Sequence, residues 1–289
     1  MYNIKIINSY FQHKFDKATS ISKHYPVSGG SINNTYIIEL TNGQAFFIKE
    51  NTIAFYNNFY QEELGLNYLR NKSSLYVPRV YALLKDESKA YLILEKLDKQ
   101  PETNLFYALL GKGLAELHLN TADSFGWEIN NYIGSLSQSN KQYLSWNDFF
   151  INERLEPLFN WCYNNKFLET SFLPLIENLF KHLDSIFPKE KPALLHGDFW
   201  TGNRMATNKG AAIFDPSVYY GHREMDIAMA NLFGRLPNEF YMAYNEVYPL
   251  EKDFKSRIDI CNLYPLLVHA RLFGKSYMSD IISILNQFK

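Results

Sequence analysis

One stretch limits the fold of this chain more than any other: ALLHGDFWTGNRMATNKGAAIFDP, residues 193–216. A short apolar run leads into His196, Gly197 and Asp198, Asn203 stands five positions after that aspartate, and a second apolar run ends in Asp215 twelve positions further on. Both runs have strand length, and the polar residues between them suit a tight return that brings Asp215 back beside Asn203. Asp and Asn are also common turn residues. A four-position match of the form H-G-D-x-x-x-x-N, however, arises by accident in only roughly one chain of this length per thousand. The fold must therefore gather one carboxylate and two further oxygen ligands in a single loop cluster.

Those residue types suit phosphoryl transfer, which needs a group to orient the attacking hydroxyl and oxygen ligands for a metal spanning the phosphates. The layout resembles the catalytic loop of the protein-kinase-like fold. On that reading Asp198 is the base, Asn203 and Asp215 hold Mg2+, and His196 supports the loop. Asp198 needs no strongly raised pKa, because its task is mainly to orient the hydroxyl and accept a proton late. Asp226, four residues after His222 on an expected helix, reads as an acceptor that buttresses the loop. His118, near the end of an apolar helical stripe, reads as a hydrogen-bonded core histidine.

Kinases of this fold bind ATP between two lobes, so the first part of the chain has to supply the nucleotide half. In TYIIELTNGQAFFIKE, Asn42-Gly43 predicts a two-residue hairpin turn that pairs Leu40 with Ala45, Ile38 with Phe47 and Tyr36 with Lys49. All six side chains then share one face, which points Lys49 to the apolar side. Phe55, Phe59, Glu62, Leu66 and Leu69 recur at helical spacing and place Glu62 on a buried face as the carboxylate partner of Lys49. Gly29, Gly30 and Ser31 can offer backbone N–H groups to phosphate oxygens. No G-x-x-x-x-G-K-[ST] occurs, which excludes a Walker-type ATPase. Glu95 and Leu97, at the end of the LILE run, are placed by position alone where adenine would meet the hinge.

The first 98 or so residues read as short strands with one helix, 96–104 as a polar hinge, and the rest as mostly helical, with helices over 105–118, 146–165 and 171–187. The Gly-, Ser- and Asn-rich segment 125–142 reads as a long surface loop. The fold class is α+β, bilobal and protein-kinase-like, with a small β-rich nucleotide-binding lobe over 1–95 and a larger α-helical catalytic and substrate lobe over 96–289. The chain holds 29 Lys and Arg against 30 Asp and Glu, so it has no field for a polyanion and no nucleic acid is expected as partner. The two cysteines, Cys162 and Cys261, read as buried thiols. No signal peptide and no membrane span is evident, which predicts a cytoplasmic protein.

LLHGDFWTGN together with FDPSVYYGHREMDIAMANLFG resembles the fructosamine kinases, also called ketosamine-3-kinases, a branch of the aminoglycoside and choline kinase-like fold. The likeness extends over SGGSIN, FFIKEN, VPRVYAL, LAELHLN, NYIGSLSQSN and LYPLLVHARLFGKSY, essentially the whole chain. It implies ATP-dependent phosphorylation of the sugar 3-hydroxyl of ketosamines, fructosamine or ribulosamine adducts of free amines or protein lysines. The product breaks down and frees the amine, a deglycation repair. By the same likeness Lys49 and Glu62 position the phosphates and Trp200 lines the sugar site. Many relatives carry Cys where this chain has Ser31, which removes a thiol from that loop. A kinase of the same fold acting on an aminoglycoside-like or choline-like alcohol, and a non-catalytic nucleotide-binding protein, remain alternatives. The number of subunits is left open.

Overall fold

The computed structural model describes residues 5–27 and 32–289; the expected phosphate loop at Gly29, Gly30 and Ser31 lies outside the described residues. The chain opens with a helix, α1 (Lys5–Lys14), which the sequence reading did not anticipate. Only Ile7 and Phe11, one turn apart, are buried on it, so its apolar stripe is too short to stand out. Five strands follow, β1 (Ile21–Pro26), β2 (Asn34–Leu40), β3 (Ala45–Thr52), β4 (Val80–Lys85) and β5 (Lys89–Glu95), with α2 (Tyr56–Leu69) between β3 and β4. They form an antiparallel sheet in the order β1-β2-β3-β5-β4.

The β2–β3 register differs by one residue from the expected one. Thr35 pairs with Lys49, Tyr36 with Ile48, Ile37 with Phe47 and Ile38 with Phe46. The turn has three residues rather than two: Leu40 N donates to Gln44 O at 2.8 Å and Gly43 N to Leu40 O at 3.0 Å, with Gly43 at φ 84°. A slip of one residue turns every side chain to the other face. Tyr36, Ile38 and Leu40 thus join Phe46, Ile48, Tyr91 and Ile93 beneath Ile7 and Phe11 of α1, while Lys49 lies on the opposite face with Phe47. That second face carries Ala90, Leu92 and Leu94 against Phe59, Leu66 and Leu69 of α2, in a core that runs without a break into the large lobe.

From β5 the chain runs through residues 96–103 without helix or strand and enters α3 (Asn104–His118), capped by Thr103 Oγ1 accepting from Phe106 N. Segment 125–142 is not a surface loop. It holds a hairpin, β6 (Asn131–Ile133) and β7 (Leu136–Gln138), and buries Trp127, Asn131, Gln138 and Asn140. Its amides satisfy one another: Gln138 Nε2 and Asn140 Nδ2 both donate to Asn131 Oδ1, at 2.8 and 3.0 Å, and the buried Arg154 donates to Asn140 Oδ1 at 2.7 Å. Helix α4 (Trp146–Phe149) continues through a π-helical turn, Phe150–Leu155, into α5 (Glu156–Asn164), and α6 (Leu173–Ile186) follows.

Four short strands then build the loop cluster. They are β8 (Ala193–Leu195), β9 (Arg204–Thr207), β10 (Gly210–Ile213) and β11 (Tyr219–Gly221), with β9 paired to β10 and β8 to β11. The chain ends in α7 (Glu224–Leu232), α8 (Asn238–Val247), α9 (Phe254–Phe273) and α10 (Met278–Leu285). Tyr76, between α2 and β4, adds alongside β10 through Tyr76 N to Ala211 O at 2.8 Å and Ile213 N to Tyr76 O at 2.9 Å, tying the sheet-bearing half to the loop cluster. Cys162 and Cys261 are buried free thiols, as expected. Among the described residues no helix is long and apolar enough to cross a membrane.

Candidate active site

The β8–β11 pair ends where the loop from His196 to Asn203 begins. Gly197 takes φ 81°, and a Cβ there would lie 2.0 Å from Ser217 O, so the position demands glycine on both counts. Asp226 reaches up from α7: its Oδ2 accepts from His196 N at 2.7 Å and its Oδ1 from Gly197 N at 2.9 Å. Behind it, His118 donates from Nε2 to Asp226 Oδ2 at 3.2 Å, and its Nδ1 pairs with Tyr244 OH at 2.7 Å. His196 is buried and donates from Nε2 to Phe214 O at 3.0 Å, bridging the loop to the segment after β10 that carries Asp215. Burial holds the imidazoles of His118 and His196 below the usual histidine range, so both stay neutral at pH 7.

Asp198 and Asp215 face each other across Asn203. Asn203 Nδ2 donates to Asp198 Oδ2 at 2.8 Å, to Asp198 O at 2.9 Å and to Asp215 O at 3.4 Å. Asp215 sits in the left-handed region at φ 56°, a conformation that Asp tolerates better than most side chains. Lys49 arrives from β3, only 4% exposed, and its Nζ donates to Glu62 Oε1 on α2 at 2.7 Å and also to Asp215 Oδ1. The slipped hairpin register therefore delivers the lysine to the cleft, where a carboxylate from each half of the molecule meets it.

The charge balance of this cluster is uneven: three carboxylates, Glu62, Asp198 and Asp215, share one ammonium. Burial opposes the charge on Lys49, but Asp215 and Glu62 outweigh it and hold the group protonated. Burial, reinforced by the charge of Asp215, pushes Asp198 up to about 7 against the hydrogen bond from Asn203. The sequence reading asked for no such shift, which comes from enclosure and from a neighbour twelve residues beyond Asn203. Glu62 is likewise pushed up to about 7, by burial first and the charge of Asp215 against the pull of Lys49.

These side chains open onto a cavity of about 580 Å³ between the sheet, α2 and the loop cluster. Trp200 lines it, with its ring edge-on to Phe233 at 5.8 Å between centroids. Glu95 and Leu97 do not. The carboxylate of Glu95 accepts from Tyr76 OH at 2.8 Å and Arg79 N at 3.1 Å and pairs with Lys209, while its backbone N donates to Arg79 O at 2.8 Å. Its N–H is thus spent within the protein, and its side chain fastens the hinge to the β9–β10 turn. The sequence reading missed Asn58 and Gln61 of α2 and Asn131 and Tyr132 of β6, all of which line the cavity. Asn58 precedes Glu62 by one helical turn, so the stripe that singled out Glu62 also carried it; nothing in the pattern of 125–142 set Tyr132 apart.

The family model for fructosamine kinase matches residues 3–289. A protein of Enterococcus faecium assigned as a ketoamine kinase is 38% identical over 274 residues, covering 92% of this chain and 95% of its own. A crystal structure from Haemophilus somnus assigned as a fructosamine-3-kinase superposes with a TM-score of 0.88 at 27% identity, covering 98% of this chain and 96% of that one. The aminoglycoside phosphotransferase APH(4)-Ia shares the fold alone, with a TM-score of 0.63 at 17% identity over 98% of this chain and 99% of its own. Full-length agreement in sequence and in structure makes the assignment: the chain belongs to the fructosamine kinase family and is a kinase.

Proposed function

We propose that this kinase transfers the γ-phosphoryl group of ATP to the 3-hydroxyl of a ketosamine, the sugar adduct of a free amine or a protein lysine, as a cytoplasmic deglycation repair. One observation carries the reading: Lys49, Glu62, Asp198, Asn203 and Asp215, drawn from both lobes, converge on a single cavity. Asp198 orients the acceptor hydroxyl; as its oxygen bonds to the γ-phosphorus and the bond to the ADP oxygen breaks, the proton passes to the Asp198 carboxylate. Lys49, held by Glu62, pairs with the nucleotide phosphates, Trp200 bounds the sugar, and His196 and Asp226 hold the loop in place.

The donor set fits magnesium. Asn203 spends its Nδ2 on hydrogen bonds and keeps Oδ1 for a ligand, Asp215 adds a carboxylate, and the surplus of negative charge around Lys49 calls for a cation. When bound, the ion offsets charge on the phosphate oxygens. Hinge contacts to adenine through Glu95 and Leu97 are reduced in this reading to the Glu95 carbonyl and the Leu97 backbone, since Glu95 N–H is already paired.

ATP consumption by the purified protein with magnesium, on ribulosamine and fructosamine adducts of lysine with choline and kanamycin as controls, tests the proposal. Turnover confined to the ketosamines is expected, and Asp198→Asn should lower kcat by about 10²- to 10⁴-fold with little change in ATP binding. Turnover on choline or kanamycin alone would replace the substrate, and near-normal kcat in the variant would overturn the role of Asp198.

A further inference from the structure

On the cleft face of α2, Asn58 and Gln61 stand three residues apart beside Glu62 and line the cavity. Among the described residues neither amide has a hydrogen-bond partner, and Asn58 Nδ2 and Gln61 Oε1 are shut away from solvent. Several other groups at the site are engaged: Lys49 by two carboxylates, Asp198 by Asn203, His196 by Phe214. The neighbouring Asn57 is also paired, its Nδ2 donating to Tyr132 OH at 2.9 Å. A buried polar atom left unpaired costs about 1 to 3 kcal/mol. Two such atoms on one helical turn, on half-buried side chains that line the cavity, point to a place for a ligand.

The chemistry of the pair narrows that ligand. Each amide carries a donor and an acceptor, which is the complement of a hydroxyl, itself both donor and acceptor. Phosphate oxygens only accept, so they would satisfy the donor of each amide and leave its acceptor unpaired. On the proposed reading adenine belongs at the hinge, and no hinge residue lines this cavity. We propose that Asn58 and Gln61 bind hydroxyl groups of the acceptor sugar and thereby set the enzyme's preference for a polyhydroxylated alcohol. The assignment rests on the proposed function above and deepens it. A site built to pair with a hydroxyl discriminates strongly against an analogue without one, because its own polar groups are then left unpaired.

Steady-state kinetics with Nε-fructosyl-lysine and ATP decide the matter, using the unsubstituted protein, Asn58→Ala, Gln61→Ala and the volume-matched Asn58→Leu. The three variants should raise KM for the sugar adduct about tenfold, one lost hydrogen bond of about 1.4 kcal/mol, and leave KM for ATP within about twofold. Retained ATP affinity also reports that each variant is folded. The unsubstituted enzyme should in turn discriminate against an adduct lacking one sugar hydroxyl, and Asn58→Ala or Gln61→Ala should narrow that difference. A raised KM for ATP with an unchanged KM for the adduct would give the amides to the nucleotide and overturn the assignment, as would unchanged values for both. Inactivity of the unsubstituted protein on every ketosamine would overturn the proposed function and the assignment together, so the two failures are distinguishable.

Discussion

Asp226 accepts three hydrogen bonds in a setting only 1% exposed, from His196 N, Gly197 N and His118 Nε2. Asp226→Asn keeps the shape and replaces one accepting oxygen with a donating NH2. Whichever way the amide turns, at least one backbone N–H of the catalytic loop then faces another donor. Losing a hydrogen bond to a charged acceptor costs about 1.5 to 3 kcal/mol, and a stranded buried donor about 1 to 3 more, so a total of about 2.5 to 6 kcal/mol follows. At about 2 °C per kcal/mol for a chain of this length, the melting temperature should fall by roughly 5 to 12 °C. Asp198 lies two residues beyond His196, so kcat should also fall, by about tenfold or more, while KM for ATP, which on the proposed reading rests on Lys49 and Glu62, stays within about threefold. Thermal unfolding by circular dichroism and steady-state kinetics well below the melting range measure both. A variant melting within about 2 °C of the unsubstituted protein would refute the energetic reasoning. One that melts early yet turns over at full rate would show that Asp226 stabilises the fold without positioning the loop.

Three further outcomes are expected. Asp215→Ala should abolish magnesium-dependent nucleotide binding in calorimetry, and an unchanged ATP affinity would remove Asp215 from the metal. Gly111→Ala would set a methyl group 2.2 Å from Phe240 O, where α3 crosses α8, and should cost at least about 3 kcal/mol in urea unfolding. Burial holds His222 down at about 4 against 6.5, so as pH falls the unfolded chain takes the proton first. The stability this residue protects is therefore intact above about 6.5, is lost progressively from there to about 4, and amounts to at most about 3 kcal/mol. His222→Gln should flatten that part of the pH–stability profile, and an unaltered profile would place the acid sensitivity elsewhere.

The loop cluster was legible because its chemistry is local: H-G-D-x-x-x-x-N and the following Asp215 are set by a few turns of chain. Glu62 was legible for a similar reason, as a charged residue on an otherwise apolar helical stripe. What escaped depends on contacts far apart in sequence or on one residue of turn geometry. The Asn42-Gly43 pair announced a hairpin but not whether its loop had two residues or three, so Lys49 was expected to share a face with Tyr36 and Ile38 as well as Phe47, when it shares that face with Phe47 and pairs with Thr35. The polar composition of 125–142 looked like solvent exposure, yet Asn131, Gln138 and Asn140 are buried partners of one another and of Arg154. The shift of Asp198 requires knowing that it is enclosed and faces Asp215.

The apolar core has a consequence for how the protein comes apart. Leu92 and Leu94 of the sheet, Phe59, Leu66 and Leu69 of α2, and Leu75 and Val77 of the segment after it belong to the same packed cluster as Leu114, Leu195 and Leu267 of the large lobe. Among the described residues, only the outer face of the sheet, under α1, has a core of its own. Severing the chain at the boundary we propose, between Glu95 and Lys96, would open that shared cluster and wet both halves. The two lobes therefore form one cooperative unit, which should unfold in a single calorimetric transition with its van't Hoff enthalpy equal to the calorimetric one.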